Sequence, residues 1–257
     1  MAEKINWYGA YNLTRREIYR FIKVYNQSVI SPAISALIFL VVFVLALADA
    51  DKEIAGIKFV NFMGYGLIIM SIVQNSFANS ASSFIMAKMM GYIIDVLIPP
   101  IGAVEVIFAF CVGAILRGLL VGFAVAIVLI PFVDFTFYHP YLLIFFVISS
   151  CALLGQLGII VGMMSKSFDH FGAVTSYIVT PLSFLSGTFY SVESLPIFFK
   201  MINYFNPFFY MIDGFRYSLT NHADSNILFG MLLLIVSNII IFFLLLNLLN
   251  SGWRIKN

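Results

Sequence analysis

The chain has 257 residues, 62% of them hydrophobic and only 10% charged, with a formal net charge of +2. Soluble domains are about half apolar and about a quarter charged, so this composition excludes a water-covered globule and implies an integral membrane protein. The small net charge excludes nucleic acid as a partner, because phosphate binding needs a concentrated basic face.

Residues 1–27 lack the apolar core of a signal peptide and are expected to stay in the mature chain. Between Trp7 and Gln27, apolar residues recur at Trp7, Tyr11, Ile18, Phe21, Ile22 and Tyr25, with Arg15, Arg16 and Arg20 between them. That spacing predicts an amphipathic helix in the cytoplasmic interface. It serves either as a topology anchor alone or also as a contact for a partner.

A spanning helix needs roughly 20 mostly apolar residues. Six segments of residues 28–257 qualify: Ser28–Ala48, Phe59–Ala81, a stretch within Gly102–Ile130, Tyr141–Met164, Phe171–Phe189 and Ile227–Asn247. Lys4, Arg15, Arg16, Arg20, Lys23, Lys88, Lys166, Arg254 and Lys256 then share one side, against Lys52, Lys58, Lys200 and Arg216 on the other. The excess places both termini in the cytoplasm. Cys111 and Cys151 lie inside apolar runs and read as small buried hydrophobes. There is no internal repeat and no interdomain linker, so residues 1–257 read as a single all-α membrane domain.

After the second span, Phe84–Ile98 carries few charges and ends at Pro99–Pro100, which blocks a continuous helix. A short helix parallel to the membrane is expected there. Its apolar surface is covered either by lipid or by protein. In the third span, Arg117 is the one basic residue at depth. It is either a pathway or subunit-interface charge or a side chain snorkelled to the interface, with Glu105 a candidate compensating charge. Gly118–Gly122 and Gly158–Gly162 have the spacing for close helix packing, expected within the subunit.

Phe184–Leu219 is too apolar for an ordinary loop, yet Pro196 and Pro207 cut it into pieces too short to span. Two short helices, Leu195–Tyr204 and Pro207–Leu219, are expected as a re-entrant hairpin on the extracytoplasmic side, since broken backbone at membrane depth needs protein or water around it. Pro181 is expected to kink the fifth span. The dense aromatics form a belt, which either anchors only or forms part of a gate. Asp213 and Arg216 are three apart and expected to pair, with Glu193 the other acid at this level.

There is no Gly-x-x-x-x-Gly-Lys-Ser/Thr run, so the chain is not expected to hold ATP itself. His139, His170 and His222 are scattered at span ends or in loops, and no acid/base or metal-ligand constellation is visible.

The ordered runs Leu185-Ser186-Gly187-Thr188-Phe189-Tyr190, Leu195-Pro196, Asn206-Pro207 and Asp213-Gly214-Phe215-Arg216 resemble the ABC-2 family of transporter permeases. Asn75–Lys88, Ile94–Pro99, Leu116-Arg117-Gly118 and Ser165–Asp169 extend the resemblance over most of the chain. The resemblance implies six spans and a dimer, most simply of identical subunits. It also implies two copies of a separate cytoplasmic ATPase that binds ATP and magnesium, with no cofactor on this chain. Phe84–Ile98 would be the coupling helix, with Lys88, Tyr92, Asp95 and Leu97 at the ATPase contact. Family coupling helices carry more charge than this one, which implies an unusually hydrophobic contact. Glu193, Pro196, Asn206, Pro207, Asp213 and Arg216 would belong to a re-entrant gate. The expected function is export of a lipidic, amphipathic or drug-like substrate from a bacterial inner membrane. A lipid-linked glycan or polysaccharide cargo is the alternative. A channel and an intramembrane enzyme are rivals of other classes.

Overall fold

The structure is a computed structural model that describes residues 6–47, 53–54, 56–91 and 101–252. Helix α1, Trp7–Lys23, opens the chain, and Asn6 caps it by accepting from the Gly9 amide at 2.9 Å. A π turn, Asn26–Ile30, leads without a break into α2, Ser31–Leu47. A two-residue hairpin then pairs Glu53 with Lys58 and Ile54 with Ile57, with Gly56 at φ 75°. This small pairing departs from the all-helical expectation. It marks one end of the molecule, called here the hairpin end.

From it runs α3, Phe59–Met89, 31 residues and about 46 Å long. Next come α4, Ala103–Leu129, and α5, Pro140–Met164, which Pro140 begins at a position where a missing N–H costs nothing. The following helical run is broken into α6, Phe168–Val174, and α7, Thr180–Ser183, with π turns at Thr175–Val179 and Phe184–Thr188. The wide turns flank Pro181, whose ring and missing N–H spoil the regular ladder, as the sequence suggested. The run ends where Gly187 adopts φ 81°. Helix α8, Ile197–Tyr204, α9, Pro207–Thr220, and α10, Ile227–Asn250, complete the chain.

Among the described residues, four helical segments are long and apolar enough to cross a membrane: Asn26–Leu45, Ala103–Leu129, Pro140–Met164 and Ile227–Asn250. These coincide with the first, third, fourth and sixth expected spans. The second and fifth fall on α3 and on Phe168–Thr188, which are helical but diluted by Ser, Thr, Asn and Gln. The reason for the dilution lies in packing. Helix α3 is buried along nearly its whole length, so its polar side chains meet protein and not lipid.

Small residues let its neighbours close on it. A Cβ at Gly122 would lie 2.5 Å from Ile72, and one at Gly118 would strike the Ser76 hydroxyl. On the other flank, a Cβ at Gly158 would lie 2.5 Å from the Phe77 carbonyl, and one at Gly162 2.6 Å from the Phe84 Cβ. Both Gly-x-x-x-Gly pairs therefore serve packing within the subunit. Ser76 Oγ donates to the Ala114 carbonyl at 3.1 Å across the α3–α4 seam. By contrast, α2 and α10 turn Ile38, Val42, Leu45, Leu232, Ile239 and Phe243 outward, the surface a lipid environment covers.

One expectation is corrected. No separate helix begins at Phe84: residues Phe84 to Met89 are the last turns of α3. The helix has no cause to break there, because Phe84, Ile85, Ala87 and Lys88 are all buried against α4 and α5. Tyr92, Asp95 and Leu97 lie outside the described residues.

Candidate functional site

At the hairpin end, α9 is driven inside the bundle and α8 is left outside. Phe208 through Arg216 are all buried, whereas Ile197, Phe198, Met201 and Phe205 of the α8 region are exposed. The two proline-delimited pieces have nearly the expected bounds but different environments. Asn206 fixes the break between them. Its side chain accepts from the Phe208 amide at 3.1 Å and donates to Ser186 Oγ at 2.7 Å. Proline at the next position then starts α9 without wasting a donor.

Asp213 and Arg216 do not form the expected ion pair. Asp213 accepts from the Asp224 and Ser225 amides, each at 2.9 Å, and from the Ser225 hydroxyl at 2.5 Å. Burial pushes its carboxyl above the usual carboxylate range, while Ser225, the Asp224 amide and nearby Arg216 favour the charged form. Asp224 in turn accepts from Ser191 Oγ at 2.7 Å and the Val192 amide at 2.9 Å. Arg216 turns the other way. Its Nη2 donates to the Gly187 carbonyl at 2.7 Å, and its guanidinium lies 3.5 Å over the Phe62 ring. Burial lowers its pKa to about 10, which keeps it charged at neutral pH. The carbonyl freed by the positive φ of Gly187 thus gets a cationic partner. Glu193 and Pro196 are exposed beside this network.

The backbone of the broken run also meets α3 here. A Cβ at Gly66 would strike the Thr188 carbonyl, so only glycine permits this approach. Tyr65 donates to the Asp134 carbonyl, and the Asp134 amide donates to Asn61 at 3.0 Å. The last carbonyls of α9 accept from the α4–α5 loop: Thr136 Oγ to Leu219 at 2.8 Å, and the His139 amide to Ser218 at 3.0 Å.

At the opposite end, Lys88 of α3 donates to the carbonyls of Met163 at 2.8 Å and Ser165 at 3.1 Å. The side chain caps the C-terminus of α5, where carbonyls lack helical partners and a cation is favoured. Helix α1 lies along the first half of α4 and crosses it at Gly113, where a Cβ would lie 3.0 Å from the Glu17 Cβ. Its expected face divides. Phe21 is buried with Ala10, Leu13 and Glu17, while Trp7, Tyr11, Ile22 and Tyr25 point away.

Glu17 is fully buried and shared by Arg16 at 3.0 Å and Arg20 at 3.3 Å. Arg20 also reaches α3, donating to the backbone and side-chain oxygens of Asn79, both at 2.8 Å. One turn away, Arg117 donates to Asn75 Oδ1 at 3.1 Å. Glu105 is not its partner; that carboxylate accepts from the Asn6 amide at 2.9 Å. Arg117 is the 15th residue of the 27 in α4, so it sits at mid-helix. Between α1, α3, α4 and α6 lies a cavity of about 860 Å³ that Arg16, Arg20, Lys23 and Arg117 help to line.

The Glu17–Arg20–Asn79 contact was missed by sequence reasoning, which placed the arginines on an amphipathic helix in the cytoplasmic interface. The available signal was the i, i+3 spacing of Glu17 and Arg20. Asp224 and Ser225 carried no such signal, since their partner is Asp213, eleven or twelve residues away.

Residues 9–220 match the family model described as ABC-2 type transporter. The chain is 30% identical over 232 residues to the "Inner membrane transport permease YadH" of Escherichia coli K12, covering 90% of this chain and 91% of that protein. The same identity and coverage hold for the protein of that name from Shigella flexneri. A shorter stretch of 72 residues, 28% of each chain, is 32% identical to "Nodulation protein J" of Rhizobium leguminosarum bv. viciae.

Proposed function

Since this chain belongs to the ABC-2 type transporter family and is a permease subunit of that kind, we propose that it exports an amphipathic substrate, powered by a separate ATPase. The family is one of transport subunits without a catalytic domain, so ATP is hydrolysed elsewhere. In this reading two permease copies pair, each with an ATPase subunit that holds ATP and magnesium. The helices α2, α3, α4 and α5, the broken run Phe168–Thr188 and α10 make six spans, with the hairpin end outside and both termini in the cytoplasm. Relatives named as inner membrane permeases support placement in that membrane.

The observation that carries the mechanism is the path of α3. Its end at Met89 leads into the residues expected to meet the ATPase. Lys88 ties that end to α5, so a push there moves two spans together. The other end touches the buried cap: Gly66 against Thr188, and Phe62 under Arg216. A close-packed helix transmits displacement over its length because its seams deform little. ATP-driven closure of the ATPases would therefore shift α3 axially and disturb the Gly187–Arg216 contact, opening the cap as the cytoplasmic side closes. The buried α9 acts as the gate, and the exposed, apolar α8 floats in the outer interface.

The test is substitution at the expected contact. In an assembled complex, Asp95→Lys or Leu97→Asp should lower transport-coupled ATP hydrolysis with subunit stoichiometry unchanged. Unaltered coupled hydrolysis in both variants would remove the coupling role from this segment.

A further inference from the structure

The cavity beside α1 has a charge balance that the packing of the fold does not explain. Arg16, Arg20, Lys23 and Arg117 line it, and Glu17 is the carboxylate that faces two of them. Asn75 and Asn79, one turn apart on α3, each hold a guanidinium, that of Arg117 and that of Arg20. Like charges gathered around one half-buried cavity favour an anion there. Arg117 has no carboxylate partner among the described residues, and its buried Nε has no hydrogen-bond partner. Lys23 likewise has no ion pair among the described residues. The rest of the wall is apolar, with Val24, Met86, Phe168 and Phe171 next to the cations. A volume of about 860 Å³ is within the range of small-molecule sites.

We propose that this cavity is the loading site for an amphiphile with an anionic head, a phosphate or carboxylate, entering from the cytoplasmic leaflet. Arg117 binds the head, Arg20 adds its charge beside it, Lys23 guides it at the rim, and the apolar wall takes the first part of the tail. The planar guanidinium of Arg117 suits direct contact with phosphate or carboxylate. Because Asn75 and Asn79 hold these arginines, occupancy is linked to α3, the helix that runs to the gate. This inference deepens the transport reading and rests on it, in particular on the cytoplasmic placement of α1.

Native mass spectrometry of the full chain in a neutral maltoside detergent provides the test. Phosphatidylglycerol, phosphatidylcholine with the same acyl chains, and inorganic phosphate are the three probes. Phosphatidylglycerol should bind about tenfold or more tightly than phosphatidylcholine, a gap of one or two charge-assisted contacts. Arg117→Gln and Lys23→Gln should each erase most of that gap, and Arg117→Lys should keep part of it. Lys23 is exposed, so its variant folds whatever becomes of Arg117. Equal binding of the two lipids, or a gap that survives both neutral variants, overturns the proposal. Displacement of phosphatidylglycerol by equimolar inorganic phosphate also overturns it, by assigning the site to a soluble anion. Assembly with the ATPase is scored on the same variants. Loss of lipid selectivity with assembly intact concerns the loading site alone, whereas loss of assembly in the unaltered chain would strike the transport reading itself.

Discussion

Arg216 shows how a costly residue is held in place. Its charge is buried, but a carbonyl at 2.7 Å and an aromatic face at 3.5 Å receive it. Replacing it with Met removes a charge-assisted bond and a cation–π contact and strands the Gly187 carbonyl, a loss of about 2–4 kcal/mol. The melting temperature of purified protein in detergent should fall accordingly, and an unchanged value would deny the contact its weight. Asp213→Ala should cost about as much, because it leaves two amides and a hydroxyl unpaired in a buried site. Asp213→Asn should cost less, since the amide oxygen still accepts. The importance of both residues was legible in the sequence through their place in an ordered motif. Their partners were not. The spacing of three suggested a mutual pair, but a carboxylate prefers several amide donors, and the loop at Asp224–Ser225 supplies them from outside the helix. Arg117 was legible as the one deep cation, while its neighbour Arg20 was hidden in a segment that reads as a surface helix.

Helix α3 dominates the next scale. Its Ser and Asn side chains lower its apolar character, yet it is the most enclosed of the long helices, and those side chains bond across its seams. Gly158→Leu would force α5 off the Phe77 carbonyl, a backbone atom unable to yield. The expected result is overpacking of about 1–3 kcal/mol, read as a lower melting temperature, and a normal melting temperature would refute the close approach. Helix α1 makes a second case. Glu17→Ala removes the buried carboxylate that holds Arg16 and Arg20, so α1 should loosen from α4 and trypsin should cut sooner after Arg15, Arg16 or Arg20 in intact proteoliposomes. Unchanged cleavage would mean that Phe21 and Leu13 suffice to hold it. All six expected spans were read from apolar length, and the four that the described residues bear out on that measure, α2, α4, α5 and α10, are those that offer a face to lipid. An irregularity in Phe168–Thr188 was expected at Pro181, whereas the break at Gly187 was not. The extension of α3 past Ala81 to Met89 was not expected either, because the carbonyls that cap Lys88 come from α5, 75 and 77 residues away in sequence.

Across the whole molecule, the packing makes a bundle gripped around α3, with buried α9 at the hairpin end and a cation-lined cavity toward the other. The cap and cavity lie toward opposite ends of a helix about 46 Å long, and in the proposed mechanism α3 carries the ATPase stroke between them. The composition already required a membrane protein, and the ordered motifs already pointed to the family. What composition left open was which polar residues hold the helices together, since the Ser and Asn of α3 read as a dilution of the span until their partners are seen. The central claim is that this chain works only with a separate ATPase. Its most direct test is purification of the tagged full-length chain from its native membrane in mild detergent, with crosslinking and an ATP analogue, followed by identification of the proteins that co-elute. The account predicts a P-loop ATPase of the ABC type in equal copy number with the permease. A stable oligomer of this chain alone, unchanged by crosslinking or nucleotide, would contradict it.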